Sequence, residues 1–258
     1  MHKMKQLFDF NDSTALIVGG GSGIGKEIAI ALCENGARVL ITGRNEEKLI
    51  KTKEEIDSLV SGSCDFVVSD VTSESSVDDL ISTASEVFSG KLNILVNSAG
   101  TNIRAPIEDV SLKDFQEVMN VNLTGTFLTT KKAYFLLSAA DYGRVINLAS
   151  IFSTVTFPHR LSYSSSKGGV LLFSKTIALE WAQKGITVNT ISPGPLLTEI
   201  NQKVLDDKEN YEKFCERIPM RRFGEPHEIV TAALFLASPY SSYVTGSDVV
   251  VDGGWTSS

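Results

Sequence analysis

Seven short runs of β-branched and other apolar residues recur along the chain, separated by stretches long enough for a helix. The runs are Ala15–Val18, Val39–Ile41, Phe66–Val68, Ile94–Val96, Val145–Leu148, Thr187–Ile191 and Val249–Val251. Most of them are continuously apolar, which is typical of strands covered by helices on both faces. The pattern predicts a doubly wound α/β fold, with a seven-stranded parallel sheet and right-handed crossovers.

The intervening stretches predict helices at about 24–35, 46–60, 74–89, 111–138, 161–184 and 226–238. No linker or repeat interrupts them, so we expect residues 1–258 to form a single domain. The helices at 111–138 and 161–184 are more apolar than one sheet-facing stripe requires, which indicates either a deep core or a subunit interface. Residues 192–224 are long for a connection and predict a lid or binding segment on the substrate side.

Charge and composition exclude several classes of partner. The formal net charge of −7 argues against nucleic acid or an anionic membrane. The three cysteines and three histidines are scattered without metal-ligand spacing, so we expect no metal. The N-terminal stretch MHKMKQLFDFNDS is too polar for a secretion signal or a membrane anchor, and we therefore expect a cytoplasmic protein.

A glycine-rich turn follows the first predicted strand and opens a helix. Glycine permits positive φ and close backbone approach, and a helix N-terminus offers free N–H groups to a pyrophosphate. The spacing is G-x-x-x-G-x-G rather than G-x-G-x-x-G, and a plain tight turn remains the alternative. We interpret the turn as a dinucleotide site, whose candidate cofactor-binding residues are Gly19, Gly21, Ser22, Gly23, Ile24 and Gly25.

The second strand ends in Thr42-Gly43-Arg44. An NAD site usually has an acidic side chain at this point for the ribose 2′-hydroxyl. Without that carboxylate, a 2′-phosphate is not repelled, and the guanidinium of Arg44 can grip it. A solvated arginine at a helix start is the alternative. The pattern favours NADP over NAD.

Small and polar residues also follow the later strands. They are Asp70-Val71, Asn97-Ser98-Ala99-Gly100, Ala149-Ser150 and Ser192-Pro193-Gly194. Because ligands of an open parallel sheet bind outside the carboxyl ends of its strands, the agreement of six strand ends indicates one extended site.

Tyr163 and Lys167 are four residues apart at the start of a predicted helix and share one face. A free phenol has a pKa near 10 and is a poor acid or base at neutral pH. We expect the ammonium of Lys167, together with an oxidised nicotinamide, to lower the pKa of Tyr163. Chance occurrence is the alternative for this pair alone, but Ser150 lies thirteen residues earlier at a strand end.

Together these residues resemble the short-chain dehydrogenase/reductase family, from about Thr14 to Gly254. The motifs stand in family order: the glycine turn, Asn97–Gly100, Asn122 in Val121-Asn122-Leu123, Ser150, Tyr163 and Lys167, Pro193-Gly194, and Val251–Gly254. The segments Leu7-Phe8-Asp9 and Arg221–Pro226 look more like the gluconate 5-dehydrogenase and 3-oxoacyl-ACP reductase branches. The resemblance implies a Rossmann fold and a nicotinamide-dependent oxidoreductase.

The resemblance also implies the role of each catalytic side chain. Tyr163 would exchange a proton with the carbonyl or alcohol oxygen, and Ser150 would hydrogen-bond that oxygen. Lys167 would bind the nicotinamide ribose, and Asn122 would hold a backbone kink and a water of the proton relay. Further implied cofactor contacts are Asp70 and Val71 at the adenine, Asn97, Ala99 and Gly100 at its ribose, and Pro193, Gly194, Leu196 and Thr198 at the nicotinamide, beside Tyr163 and Lys167.

Family members usually form tetramers through the two long apolar helices, which favours a homotetramer, with a homodimer as the alternative. The sequence departs from the family pattern at Val18, where threonine is usual, at Ser98, where asparagine is common, and at Gly43, where NAD-dependent members have an acid. The first two departures remove no catalytic group. The third supports NADP without establishing it.

The substrate is expected to be a small carbonyl or alcohol compound, either a keto-sugar acid or a 3-oxoacyl compound. Candidate substrate contacts are Arg104, Phe152, Thr154, Val155, Phe157, His159, Arg160 and Leu161. His159 or an arginine would suit a carboxylate, whereas the apolar residues would suit a ketone. For each basic residue, a solvated surface position without a substrate role is the alternative. A non-catalytic NADP(H)-binding sensor or scaffold is the alternative function, and a lyase or dehalogenase on the same fold is a third.

Overall fold

The computed structural model describes residues 7–257, apart from the side chain of residue 203. The expectation that the N-terminus carries no signal or anchor falls partly on residues 1–6 and there lies outside the described residues. Within the described part of the chain, all seven predicted strands are present and form one sheet.

The predicted doubly wound Rossmann architecture is confirmed. The strands are β1 Thr14–Val18, β2 Arg38–Gly43, β3 Cys64–Val68, β4 Ile94–Asn97, β5 Gly143–Leu148, β6 Ile186–Pro193 and β7 Asp248–Val251. The helices are α1 Gly23–Glu34, α2 Glu46–Leu59, α3 Glu74–Val87, α4 Leu112–Met119, α5 Gly125–Ala139, α6 Leu161–Trp181, α7 Gln202–Leu205, α8 Lys208–Arg217 and α9 Val230–Ala237.

The strands are parallel throughout and lie in the order β3-β2-β1-β4-β5-β6-β7. The chain therefore builds outward from β1 to β3 and then crosses back, so that β4 lies on the other side of β1. Such a reversal separates the connections that leave β1 and β4, and a crevice opens at the carboxyl ends of those strands.

Successive residues of a strand pack into two different hydrophobic cores, one on each face of the sheet, which explains why the runs are continuously apolar. Leu16 of β1 packs with α3, α5 and α6, whereas Ile17 packs with α1, α2 and α9. Burial on both faces leaves the backbone of the strands fixed, so the residues that follow each strand project from a rigid edge.

The helix predicted at 111–138 is interrupted by a π-helical turn at Asn120–Thr124, between α4 and α5. The cause is Asn122, whose side-chain amide is fully buried and binds the backbone of Thr101 in the segment after β4. A wider turn accommodates the extra residue that this attachment draws inward. The expected backbone kink at Asn122 is therefore present as a π turn.

Two other predicted helices differ at their ends. The stretch predicted at 161–184 is α-helical to Trp181 and then tightens into a 3-10 turn, Ala182–Lys184, before Gly185 at φ 73°. The stretch predicted at 226–238 begins with a 3-10 turn, Pro226–Ile229. Both changes follow the usual tightening of the backbone at helix termini.

A buried polar network joins the centre of the sheet to the helices behind it. The amide nitrogen of Asn97 donates to Asn147 at 2.8 Å and to Thr130 at 3.0 Å. The amide nitrogen of Asn147 donates in turn to Ser174 at 2.8 Å, and Thr129 donates to the amide oxygen of Asn97 at 2.7 Å. The network fixes the end of β4 relative to β5, α5 and α6.

We expect Asn147→Ala to destabilise the fold by about 2–4 kcal/mol, because it leaves buried groups of Asn97 and Ser174 without partners. The measurement is the free energy of unfolding in urea. Ser82→Ala on the exposed face of α3 removes only one side-chain hydrogen bond, to the carbonyl of Asp78, and should change that free energy by less than about 0.5 kcal/mol. Equal effects of the two substitutions would contradict a structural role for the network.

Candidate active site

The backbone between β1 and α1 forms a tight cradle at the sheet edge. Gly19 has φ +84° and Gly23 has φ +54°, conformations that favour glycine. A Cβ on Gly19 would lie 2.6 Å from the backbone nitrogen of Ala99, so no other residue fits there. Ser22 is the N-cap of α1 but makes no side-chain cap hydrogen bond. The helix therefore offers free N–H groups to an anion, and the cradle fits a dinucleotide pyrophosphate.

A continuous cavity of about 390 Å³ runs from this cradle along the carboxyl ends of the strands. It brings together most of the residues that the sequence singled out for the cofactor and for chemistry. These are Gly19, Gly21, Ser22, Gly23, Ile24, Arg44, Asp70, Val71, Ala99, Gly100, Ser150, Tyr163, Lys167, Pro193, Gly194, Leu196 and Thr198.

Three predicted site residues do not line the cavity. Asn97 lies behind the cavity wall in the polar network, and Asn122 lies behind Gly100. Gly25 packs inside the cradle, where a Cβ would be 2.3 Å from the carbonyl oxygen of Gly19. Each of these residues supports the wall of the cavity through its own packing or hydrogen bonds.

The adenosine end of the cavity carries Arg44 and Asp70. Arg44 is exposed and has no salt bridge or hydrogen bond among residues 7–257. Burial acts to raise the pKa of Asp70, but two hydrogen bonds from Thr72 and the nearby Arg44 lower it overall. Asp70 is therefore held as a carboxylate by Thr72, and the guanidinium of Arg44 stays free for another anion.

The other end of the cavity brings Ser150, Tyr163 and Lys167 together. Ser150 follows β5 and accepts a hydrogen bond from the backbone of Phe152 at 3.2 Å, which orients its hydroxyl. Tyr163 and Lys167 lie one turn apart on α6, with the Nζ of Lys167 5.8 Å from the tyrosine ring centre. The Nζ also donates to the carbonyl of Leu148 at 2.6 Å, which ties the lysine to the end of β5.

The contribution of Lys167 to the pKa of Tyr163 differs from the expectation. Burial raises the pKa of Tyr163, and the groups that oppose the rise are Ser150 by a hydrogen bond and Arg160 and Arg104 by their charge. Lys167 is not among these groups, because its ammonium turns toward the carbonyl of Leu148. Burial lowers the pKa of Lys167 itself to about 8.

Asn122 connects Tyr163 to the π turn through Ser166. Its amide oxygen accepts from the backbone nitrogen of Thr101 at 2.8 Å, and its amide nitrogen donates to Ser166 at 2.9 Å. The hydroxyl of Ser166 donates to the carbonyl of Tyr163. The kinked helix and the tyrosine are thus linked through two hydrogen bonds.

A buried arginine, Arg160, and a half-buried one, Arg104, lie at the same end as Tyr163. Arg160 is 6% exposed and its Nε has no partner among the described residues. Burial and the charge of Arg104 lower the pKa of Arg160 to about 10, while Tyr163 opposes that shift. Arg104 donates to the backbone oxygen of Ile200 at 3.2 Å and to Asn201 at 3.0 Å. The amide oxygen of Asn102 is also buried without a partner.

The remaining wall of this end is apolar and comes largely from residues 192–224. This segment contains a 3-10 turn at Glu199–Asn201 followed by α7 and α8. Its cavity-lining side chains include Val204, Phe214 and Phe223. These side chains line the same cavity as Tyr163, and a role of the segment as a substrate-side lid stays a prediction.

The substrate contacts expected from the sequence divide into two groups. Arg104, Phe152 and Arg160 line the cavity. Phe157 instead packs on Phe214, with ring centres 5.4 Å apart. Thr154, Val155, His159 and Leu161 are not among the cavity-lining residues.

Sequence reasoning missed Lys48, Asn102, Glu199 and Val204 as cavity residues. Asn102 and Glu199 carried a usable signal, because each lies within a few residues of a recognised strand end. Lys48 carried the same kind of signal, since it follows the end of β2 as closely as Asn102 follows β4. Val204 lies on α7, at a position that no spacing argument relates to the site.

The fold and this site define a dinucleotide-dependent oxidoreductase: a glycine cradle lies at the strand reversal, and serine, tyrosine and lysine lie at the other end of the same cavity. A family model described as enoyl-(acyl carrier protein) reductase matches residues 19–256. The protein belongs to the short-chain dehydrogenase/reductase family, whose members act on CH–OH groups. The resemblance inferred from the sequence is therefore confirmed.

The chain is similar to several members of this family. It is 38% identical to glucose 1-dehydrogenase of Gluconobacter oxydans over 96% of this chain and 93% of that one. A gluconate 5-dehydrogenase from Burkholderia cenocepacia, solved with NADP and tartrate, is 35% identical with a TM-score of 0.92 and covers 98% of both chains. A structure from Beutenbergia cavernae, described as a putative NAD(P)-dependent gluconate 5-dehydrogenase with NADP bound at low occupancy, is 33% identical with the same TM-score, over 98% of this chain and all of that one.

No helix within residues 7–257 is long and apolar enough to cross a membrane. Localisation in the cytoplasm stays a prediction from the sequence.

The lowered pKa of Lys167 predicts a pH-dependent stability. Between about pH 8 and its ordinary value of 10.5 the unfolded chain binds more protons than the folded one, so this lysine makes stability rise with pH. We expect the free energy of unfolding of the wild type, relative to Lys167→Met, to increase from about pH 7 to about pH 9.5. Lys175→Met removes an exposed lysine of the same helix and should follow the wild type. Parallel pH profiles for wild type and Lys167→Met would contradict the shifted pKa.

Proposed function

We propose that this protein is an NADP(H)-dependent oxidoreductase that interconverts a carbonyl and a secondary alcohol on a sugar acid. The observation that carries the proposal is the presence of Arg104 and Arg160 beside Ser150 and Tyr163, at an end of the cavity that carries no acidic side chain among the described lining residues. We treat the chain as one catalytic domain.

In the proposed reduction, the hydroxyl of Tyr163 gives its proton to the carbonyl oxygen while Ser150 donates a hydrogen bond to the same oxygen. In oxidation Tyr163 takes the proton from the alcohol. The nicotinamide, when bound, supplies or accepts the hydride at the carbon. Lys167, with its lowered pKa, and Asn122, bonded to Thr101, are proposed to return the proton toward solvent.

NADP(H) is the proposed cofactor because the adenosine end has a free guanidinium and Gly43 in place of an acid. Arg44 has no carboxylate partner, and the only carboxylate groups among the described cavity-lining residues are Asp70 and Glu199. The carboxylate of Asp70 accepts hydrogen bonds from the backbone nitrogen and the hydroxyl of Thr72. The gluconate 5-dehydrogenase structures with NADP bound support the same cofactor.

A sugar acid suits the polar residues that line the catalytic end. The guanidinium groups of Arg104 and Arg160 can donate to a carboxylate, and the side chain of Asn102 can bond a sugar hydroxyl. A hydrogen bond to a charged group is stronger than one between neutral groups, so a polyhydroxy anion gains from this lining. The carbonyl oxygens of a 3-oxoacyl chain can also accept from an arginine, but they bring no negative charge to this end of the cavity. The similarity to glucose 1-dehydrogenase makes a neutral sugar the second candidate.

Tyr163→Phe tests the catalytic assignment against a sensor or scaffold and against a lyase or dehalogenase. We expect turnover to fall by about 10³-fold or more, because the proton donor is gone, while the dissociation constant for NADPH changes little. The measurements are NADPH oxidation with keto-acids and keto-sugars, and NADPH fluorescence titration. Turnover at the wild-type rate would remove Tyr163 from the mechanism.

Arg160→Met tests the substrate class with little change in side-chain length. We expect kcat/KM for gluconate or a keto-gluconate to fall by about 100-fold, since a charged hydrogen bond is lost, whereas oxidation of glucose should change by less than about threefold. Arg38→Met, which removes an exposed arginine at the far end of β2, is the charge control. Equal losses on gluconate and glucose would favour a structural role for Arg160.

We also propose a homotetramer, with a homodimer as the smaller alternative, through α5 and α6. Phe135 is 79% exposed, Leu172 is 66% exposed and Leu179 is 82% exposed on these two helices. An apolar groove between the helices is lined by side chains that include Phe127 and Ile177. Exposed apolar surface of this extent is typical of an interface.

Phe135→Glu should reduce the mass of the particle in solution, because a carboxylate is buried without a partner when two copies of this face meet. Size-exclusion chromatography with light scattering measures that mass. Leu59→Glu, at an exposed position of α2 on the face of the sheet opposite α5 and α6, should leave it unchanged. A wild-type protein that elutes as a monomer would contradict the assembly.

A further inference from the structure

Lys48 and Glu199 join two walls of the cofactor half of the cavity. Lys48 belongs to the first turn of α2, and Glu199 begins the 3-10 turn of the segment that follows β6. Both residues line the cavity. The Nζ of Lys48 donates to the two carboxylate oxygens of Glu199 at 2.7 and 2.5 Å. The ion pair therefore ties residues 198–207, the front part of the lid segment, to α2.

The position of Lys48 relates it to Arg44 and to the glycine cradle. Asn45, next to Arg44, caps α2 by accepting from the backbone nitrogen of Lys48 at 3.0 Å. A Cβ on Gly21 would lie 3.3 Å from the Cβ of Lys48, so the lysine stem passes beside the cradle. Lys48 thus lies beside the cradle and four residues from Arg44, at the adenosine end of the cavity.

The ion pair is weak, so a phosphate can replace Glu199 as the partner of Lys48. The side chains of Lys48 and Glu199 are 41% and 69% exposed, and a pair this exposed contributes only about 0–1 kcal/mol. A phosphate monoester carries close to two negative charges at neutral pH and binds ammonium groups more strongly than a single carboxylate does. Glu199, in contrast, repels such a phosphate by its own charge.

We propose that Lys48 is a second ligand of the cofactor 2′-phosphate beside Arg44, and that Glu199 competes with that phosphate for the lysine. NADP(H) then draws Lys48 away from Glu199 and releases residues 198–207 from α2. NAD(H), without the phosphate, leaves the ion pair closed. The proposal rests on the proposed use of NADP(H) and is independent of the substrate.

Lys48→Met tests the lysine as a phosphate ligand. We expect the dissociation constant of NADP⁺, measured by calorimetry, to rise about tenfold, and that of NAD⁺ to change by less than about twofold. Lys51→Met makes the same charge change at an exposed position of α2 outside the cavity and should alter neither constant. A loss of affinity that is equal for the two cofactors, or absent for both, would overturn the proposal.

Glu199→Gln tests the competition. We expect NADP⁺ to bind about threefold to tenfold more tightly, with NAD⁺ unchanged, because a competing and repelling charge is gone. The gain should disappear in the double variant Lys48→Met with Glu199→Gln, where no lysine remains to be released. Unchanged or weaker NADP⁺ binding in Glu199→Gln, or an equal gain without Lys48, would overturn the competition.

Hydrogen exchange reports on the lid segment without turnover. Amides of residues 198–207 should exchange faster in the NADP⁺ complex than in the NAD⁺ complex of the wild type, and equally fast in the two complexes of Glu199→Gln. Equal protection in the two wild-type complexes would overturn the proposed release. If the wild type itself prefers NAD⁺ and Arg44→Ala does not change that preference, the proposed cofactor fails, which is distinct from a failure at Lys48.

Discussion

The site depends on how closely the backbone after β1 can approach the backbone after β4. At Gly19 a single added methyl group would lie 2.6 Å from the nitrogen of Ala99, and at Gly25 it would lie 2.3 Å from the oxygen of Gly19. This contact exists because the strand order reverses at β1 and β4. Without it, α1 could not direct its free N–H groups into the crevice, and the two halves of the cavity would not be continuous.

The catalytic end concentrates positive charge where the protein can least solvate it. Lys167 is buried with a carbonyl rather than a carboxylate as its partner, and Arg160 is buried with its Nε unsatisfied. Both arrangements oppose folding, since a buried cation without an anion is unfavourable. They are tolerated because the sheet edge and the polar network around Asn97 are rigid. The charge of Arg160, together with that of Arg104, opposes the rise of the Tyr163 pKa and favours an anion in this end of the cavity.

The seven strands could be predicted from the sequence, because strands buried on both faces appear as continuous apolar runs. The position of the site could be predicted too, since it lies where those runs end. It also identified Ser150, Tyr163 and Lys167, whose spacing on and before one helix is local information. It did not predict the pKa of Tyr163, because the direction of the Lys167 ammonium depends on the carbonyl of Leu148 in a neighbouring strand. The pairing of Lys48 with Glu199 was missed for the same kind of reason, since the two residues are 151 positions apart.

The lid segment is anchored unequally at its two ends. At its base, Gly224 exchanges backbone hydrogen bonds with Pro195 and Leu197, which closes the segment into a loop. At its far side, Phe214 packs on Phe157 and stacks on Trp255 at 5.8 Å, so α8 is held by an aromatic cluster.

Between these two anchors lie residues 198–207, which contain a 3-10 turn and the single turn of α7 and carry Glu199 on the cofactor side. Arg104 binds the same stretch from the substrate side, through Ile200 and Asn201. This short segment thus contacts one cation from each half of the cavity, Lys48 through the carboxylate of Glu199 and Arg104 through Ile200 and Asn201. The exchange proposed at Lys48 therefore acts on the same ten residues that Arg104 holds from the substrate side.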